Sequence, residues 1–125
     1  MDTIKLLIAD DEEMICTSLK KKFLRLGFDV IEAYDGKTAL ENARNERPHI
    51  ILLDVKMPKL SGIEVCKRLK SKKETKGIYI IMFSARAEAQ DKEIAREVGA
   101  DSYLCKPVPF DRIKAEVEHF ASLID

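Results

Sequence analysis

The sequence predicts an α/β domain: five parallel strands in the order 2-1-3-4-5, doubly wound, with five helices covering both faces. Three observations carry this. Short apolar runs such as residues 50–53 (IILL) and 78–83 (IYIIMF) lack the polar alternation of a half-solvated strand, so both their faces are buried. Between successive runs, apolar residues recur at helical spacing. Right-handed crossovers then leave few topologies, and this order suits a chain of 125 residues.

The elements follow in order. Residues 4–9 (IKLLIA) form the first strand and end on Asp10-Asp11. Ile15, Leu19, Phe23 and Leu26 mark the first helix, and Gly27 supplies its stop. Residues 28–34 alternate as a strand, Asp35-Gly36 turns the chain, and residues 38–47 form a helix cut off by Pro48. Residues 50–53 are the third strand. Ile63, Cys66 and Leu69 mark a helix that runs into the polar loop SKKETKG. Residues 78–83 are the fourth strand, 87–98 a helix closed by Gly99, and 102–105 the fifth strand. Ile113, Val117, Phe120 and Ile124 define a last amphipathic helix. No repeat, linker or low-complexity segment interrupts the pattern, so residues 1–125 are expected to form one domain.

Composition narrows the class. Hydrophobic residues at 46% and charged residues at 35% are globular proportions. Lys plus Arg equals Asp plus Glu at 22 each, so no global attraction draws the chain to nucleic acid or to an anionic membrane. The basic runs at 20–22 and 70–76 read as solvated helix faces or ends. Neither direct nucleic-acid binding nor membrane insertion is expected, since every apolar run stops well short of ~18 residues. Cys16, Cys66 and Cys105 are odd in number and form no CxxC, and His49 and His119 complete no zinc spacing. Buried reduced thiols are expected, which suits a cytoplasmic location.

The polar residues fall in one place. Asp10 and Asp11 end the first strand, Asp54 the third, Ser84 the fourth and Lys106 the fifth. Parallel strands put all their carboxyl ends at one edge, where open sheets bind ligands. Singly, each residue has an ordinary structural explanation: a turn, a helix cap or a surface corner. Together, three neighbouring carboxylates carry a cost in repulsion and desolvation that a cation removes. Mg²⁺ suits oxygen ligands of this kind. A carboxylate nucleophile, a metal, an ammonium and a hydroxyl form a set suited to phosphoryl transfer.

In order and spacing, IADDE, LLDVKMP, the Ser61-Gly62 turn, FSA and GADSYLCKP match one family. The chain resembles the receiver domain of bacterial two-component response regulators over essentially its whole length. The resemblance implies a flavodoxin-like fold in which Asp54 accepts a phosphoryl group from a phosphohistidine. The donor would be a histidine kinase or a histidine phosphotransfer protein. The resemblance further implies Mg²⁺ held by Asp11, Asp54 and the backbone carbonyl of Lys56, with Asp10 contributing directly or through water. Lys106 would pair with the phosphoryl group, Ser84 would swing toward it, and Tyr103 would move inward. A cis bond is implied at Lys106-Pro107. The switching surface would comprise the fourth helix, fifth strand and fifth helix, read by a protein target or a covalently attached effector domain. Such a domain is not a conventional enzyme; it catalyses its own phosphorylation and dephosphorylation.

Two departures, Ser61 for a frequent acidic residue and Val108 for a frequent Phe, do not touch this chemistry. Lys56 and Arg86 stand two residues beyond Asp54 and Ser84, where the family varies residues that set phosphate lifetime. They either shield the acyl phosphate from water or point into solvent. Other classes fit less well. A haloacid-dehalogenase-like phosphatase wants a second Asp where Lys56 stands, and a flavodoxin-like cofactor binder wants a phosphate loop where Asp10, Asp11 and Glu12 stand. A pure binding module has no need of the full polar set. The opening MDTIK reads as a natural start, so a single-domain protein or an N-terminal receiver is expected.

Overall fold

The computed structural model describes residues 3–85 and 89–124. Strands β1 (Lys5–Ala9), β2 (Asp29–Ala33), β3 (Ile50–Leu53), β4 (Tyr79–Ser84) and β5 (Ser102–Cys105) alternate with helices α1 (Glu13–Arg25), α2 (Gly36–Glu46), α3 (Gly62–Lys70), α4 (Ala89–Glu97) and α5 (Phe110–Ala121). All strand pairs are parallel and the sheet order is β2-β1-β3-β4-β5, as the sequence predicts.

Side chains on a strand alternate between faces, and both faces here are packed. Leu7 and Ala9 of β1, with Ile51 and Leu53 of β3, bury against α2, α3 and α4 through Ala39, Ala43, Val65, Leu69 and Ala95. Leu6, Ile8, Ile50 and Leu52 point the other way, against α1 and α5, where Cys16, Phe23, Ile113 and Val117 meet them. The unbroken greasy run of β3 is therefore two half-runs, one for each layer. Covering a strand on both sides leaves it no reason to carry a polar residue until it ends.

The register sets that ending. Ala9 pairs with Leu53, so Asp10 and Asp54 leave the sheet side by side. Ser84 pairs with Cys105 at the neighbouring edge, which brings Lys106 to the same rim.

Several local expectations are adjusted. Asp35 and Gly36 do not form a free turn; Asp35 caps α2, its carboxylate accepting from the Thr38 amide at 2.7 Å. Helix α2 ends at Glu46, before Pro48 is reached, because Arg47 takes a left-handed conformation with φ 45°. The fourth helix is described from Ala89 and ends at Glu97; its expected first turn includes residues 87 and 88, outside the described set. Gly27 and Gly99, with φ of 93° and 99°, terminate their helices as expected.

Lys70 is not part of a solvated face. Its ammonium donates to the carbonyls of Lys76 and Ile78 at 3.0 and 2.7 Å and to Asp101 at 3.0 Å, tying the α3–β4 loop to the start of β5. Cys16 and Cys66 are buried and Cys105 is only half-buried, and no disulfide joins any of the three. The Lys106–Pro107 bond is cis.

Candidate functional site

The carboxyl edge of the sheet carries an acidic cluster built on rigid backbone. The Asp10 amide donates to Ala33 at 3.1 Å and the Asp54 amide to Ala9 at 2.9 Å. These bonds extend the sheet ladders one residue past the strands, so neither Asp sits on a mobile loop. Asp10 is 1% exposed and Asp54 5% exposed, whereas Asp11 reaches solvent. One carboxylate oxygen from each of the three lies within 4.8 Å of the others.

The two buried carboxylates, Asp10 and Asp54, each meet a fixed partner. Oδ1 of Asp10 accepts from the Glu12 amide at 2.9 Å, which turns Oδ2 toward the Lys106 ammonium, 2.7 Å away. The same ammonium stands 3.5 Å from Asp54 Oδ2. Lys106 is held in turn by its amide, which donates to the Ser84 carbonyl at 2.7 Å. Ser84 is buried at the end of β4. The thiol of Cys16 donates to the Asp10 carbonyl at 3.4 Å, bracing that residue from below.

The loop after Asp54 is pinned by two glycines. A Cβ at position 62 would lie 2.0 Å from the Asp54 carbonyl oxygen, and one at position 36 would lie 1.8 Å from that of Leu60. Their amides donate to Val55 and Pro58 at 2.8 and 3.1 Å. Backbone passes so close to backbone that only glycine fits. Ser61 caps α3 by accepting from the Glu64 amide at 3.2 Å, which explains why a serine serves before Gly62.

The electrostatics follow from burial. Asp54 is pushed up to about 6 chiefly because its charge is desolvated; the nearby Lys106 pulls it down, while the charges of Asp10 and Asp11 raise it further. Burial works against the Lys106 ammonium, yet its bond to Asp10 and the charges of Asp54 and Asp10 outweigh that and raise it. The Cys16 thiol is driven up to about 12 by burial and by Asp10, and remains an inert neutral donor.

The site therefore gathers Asp10, Asp11, Asp54 and Lys106 as the sequence expects, with Ser84 on the adjoining strand end. Tyr103, half-buried on β5, pairs with Met82, two positions before Ser84. The Lys56 side chain is exposed, and Arg86 lies outside the described residues. Three contributors carried no sequence signal. Phe83 and Cys16 read as ordinary core residues, and Gly36 as a turn residue.

The donor set is oxygen-rich and anionic, three carboxylates of which two also face the Lys106 ammonium, and it fits a hard divalent cation.

Comparison with known proteins agrees with this geometry. The model of the response regulator receiver domain family matches residues 6–118. The alkaline phosphatase synthesis transcriptional regulatory protein PhoP of Bacillus subtilis is 46% identical over 114 residues, covering 91% of this chain and 47% of that protein. The probable transcriptional regulator ycf27 of Porphyridium aerugineum is 34% identical over the whole chain and 51% of its own length. Among solved structures, the Francisella response regulator 1452 receiver domain superposes with a TM-score of 0.88 at 32% identity, covering 94% of this chain and 96% of that one. The Vibrio cholerae chemotaxis protein CheY4 gives 0.89 at 27% identity, covering 95% and 99%. The chain belongs to the response regulator receiver domain family of two-component signalling. It spans about half the length of the curated relatives it matches.

Proposed function

We propose that Asp54 is the phosphoryl acceptor of this receiver, taking the group from a phosphohistidine on a histidine kinase or histidine phosphotransfer protein. The observation that carries this is the position of Asp54: buried, its amide tied to β1, and 3.5 Å from the Lys106 ammonium inside the acidic cluster. A carboxylate oxygen attacks phosphorus, the new O–P bond replaces the P–N bond, and the leaving imidazole takes up a proton. The nucleophile needs no general base, because at neutral pH the ionised form prevails even with the carboxyl raised to about 6.

Lys106 neutralises charge on the transferred oxygens, and the Ser84 hydroxyl donates to one of them. Mg²⁺, held by Asp10, Asp11, Asp54 and the Lys56 carbonyl, would supply the second centre of positive charge. The Lys56 and Arg86 side chains would set the lifetime of the acyl phosphate by limiting access of water.

Phosphorylation would bias the α4–β5–α5 surface between two states, with Ser84 and Tyr103 as the moving parts. Exposed Ile94 on α4 and half-buried Tyr103 on β5 give that surface apolar contacts to offer. The names of the relatives support an output in transcription, through a protein target or an attached effector domain rather than through nucleic-acid contacts of residues 1–125. No described helix is long and apolar enough to cross a membrane, and a cytoplasmic site of action is part of the same proposal.

The test is incubation with acetyl phosphate and Mg²⁺, followed by intact mass. A phosphate adduct that disappears in Asp54→Ala is expected. An unmodified parent chain would overturn the acceptor assignment.

A further inference from the structure

We propose that Phe83 is a positioning residue for Lys106, its ring face holding the ammonium over the carboxylates of Asp10 and Asp54. This rests on the reading of Lys106 as the cation that meets the phosphoryl oxygens. Lysine is a long, flexible cation whose stem alone does not fix its head. In this chain the backbone of Lys106 is anchored to Ser84, and two carboxylates attract its head, at 2.7 and 3.5 Å. The ammonium also lies over the ring of Phe83, with the ring centroid 4.9 Å from Nζ. That lies within the ~6 Å over which the negative face of an aromatic ring attracts a cation.

The ring is itself buried. Phe83 is 6% exposed and packed in the layer that includes Ile81, Leu104 and Ile113. The ammonium's need for restraint comes from its surroundings. A cavity of about 570 Å³, walled by Met14, Ile15, Phe83, Ala85 and Pro107, opens beside the Lys106 stem. A lysine free of the ring has room to turn into that space, and the carboxylates alone would have to hold it back. An aliphatic residue at position 83 would keep β4 apolar but would offer no attraction for charge. The ring thus adds a restraint specific to the ammonium, placed before negative charge develops on the transferred group.

The experiment replaces Phe83 with mono-, di- and trifluorinated phenylalanine, which keep the ring's shape while draining its negative face, and adds Phe83→Tyr and Phe83→Leu. Asp54 phosphorylation by acetyl phosphate at saturating Mg²⁺ is expected to slow stepwise along the fluorinated series, reaching about three- to tenfold. Phe83→Leu should be at least as slow and Phe83→Tyr near the parent, with melting midpoints of the fluorinated proteins unchanged. A rate indifferent to fluorination overturns the proposal. If the parent takes no phosphate, the acceptor assignment fails separately. The ¹⁵N signal of the Lys106 ammonium then decides for Phe83: water exchange quickening along the series supports the restraint, and constant exchange overturns it.

Discussion

The Lys106 ammonium donates to Asp10 Oδ2 at 2.7 Å while standing 3.5 Å from Asp54, so one cation serves two buried carboxylates. Removing one member of such a set leaves uncompensated charge in a desolvated place, a loss of about 3 kcal/mol. Lys106→Met is expected to destabilise the metal-free protein by about that amount. Saturating Mg²⁺ should restore much of it, since a bound cation repeats the compensation. Urea denaturation with EDTA and with Mg²⁺ measures both; equal losses in the two conditions would refute the shared-cation account.

Asp54 gives stability a pH dependence of defined sign. Folding raises its carboxyl from 3.8 to about 6, so the folded protein holds this proton more tightly than the unfolded chain. Its contribution favours folding fully below about 3.8 and is lost as pH rises through about 6. At pH 7 the ionised group therefore costs on the order of 3 kcal/mol relative to the protonated one. Asp54→Asn should stabilise the metal-free protein at pH 7 by that order and add little near pH 4. Denaturation series in EDTA across this range check it, and a pH-independent difference between the two proteins would sink it.

Gly62 lies against the Asp54 carbonyl, so close that an alanine methyl at this position would come within 2.0 Å of the oxygen. Gly62→Ala must push the loop from the strand end, at a cost of about 3 kcal/mol. Because Asp54 moves with its carbonyl, phosphorylation should fall more than Mg²⁺-independent stability alone accounts for. Phosphorylation rates at a temperature where the variant is fully folded provide the check. A folded variant with parental rates would contradict the close-packing argument.

Lys56 is exposed beside Asp54 and has the length to cover an acyl phosphate. Under the shielding proposal, Lys56→Ala loses phosphate several-fold faster once the donor is removed, with stability unchanged. Loss followed by intact mass measures this. Identical half-lives would mean the side chain only meets solvent.

Much of the site was legible because its chemistry sits where strands stop. In IADDE and LLDVKMP a doubly buried strand ends on carboxylates, and the parallel topology carries those ends to one edge. Patterning says less about residues whose importance depends on neighbours distant in the chain. Phe83 is one apolar letter in IYIIMF until β5 places an ammonium over its ring. Lys70 belonged to a basic run until Asp101 and two carbonyls met it.

By itself the sequence determined the class of fold, the order of strands and the identity of the acidic edge, since periodicity and burial act along the chain. Only the tertiary structure decided that Lys106 pairs more closely with Asp10 than with Asp54, and that Asp10 is buried while Asp11 meets water. The same holds for Gly36 and Gly62, which clamp the loop after Asp54. The physical reason is distance: hydrogen bonds, desolvation and steric contact act over a few ångströms between residues that folding brings together from far along the chain.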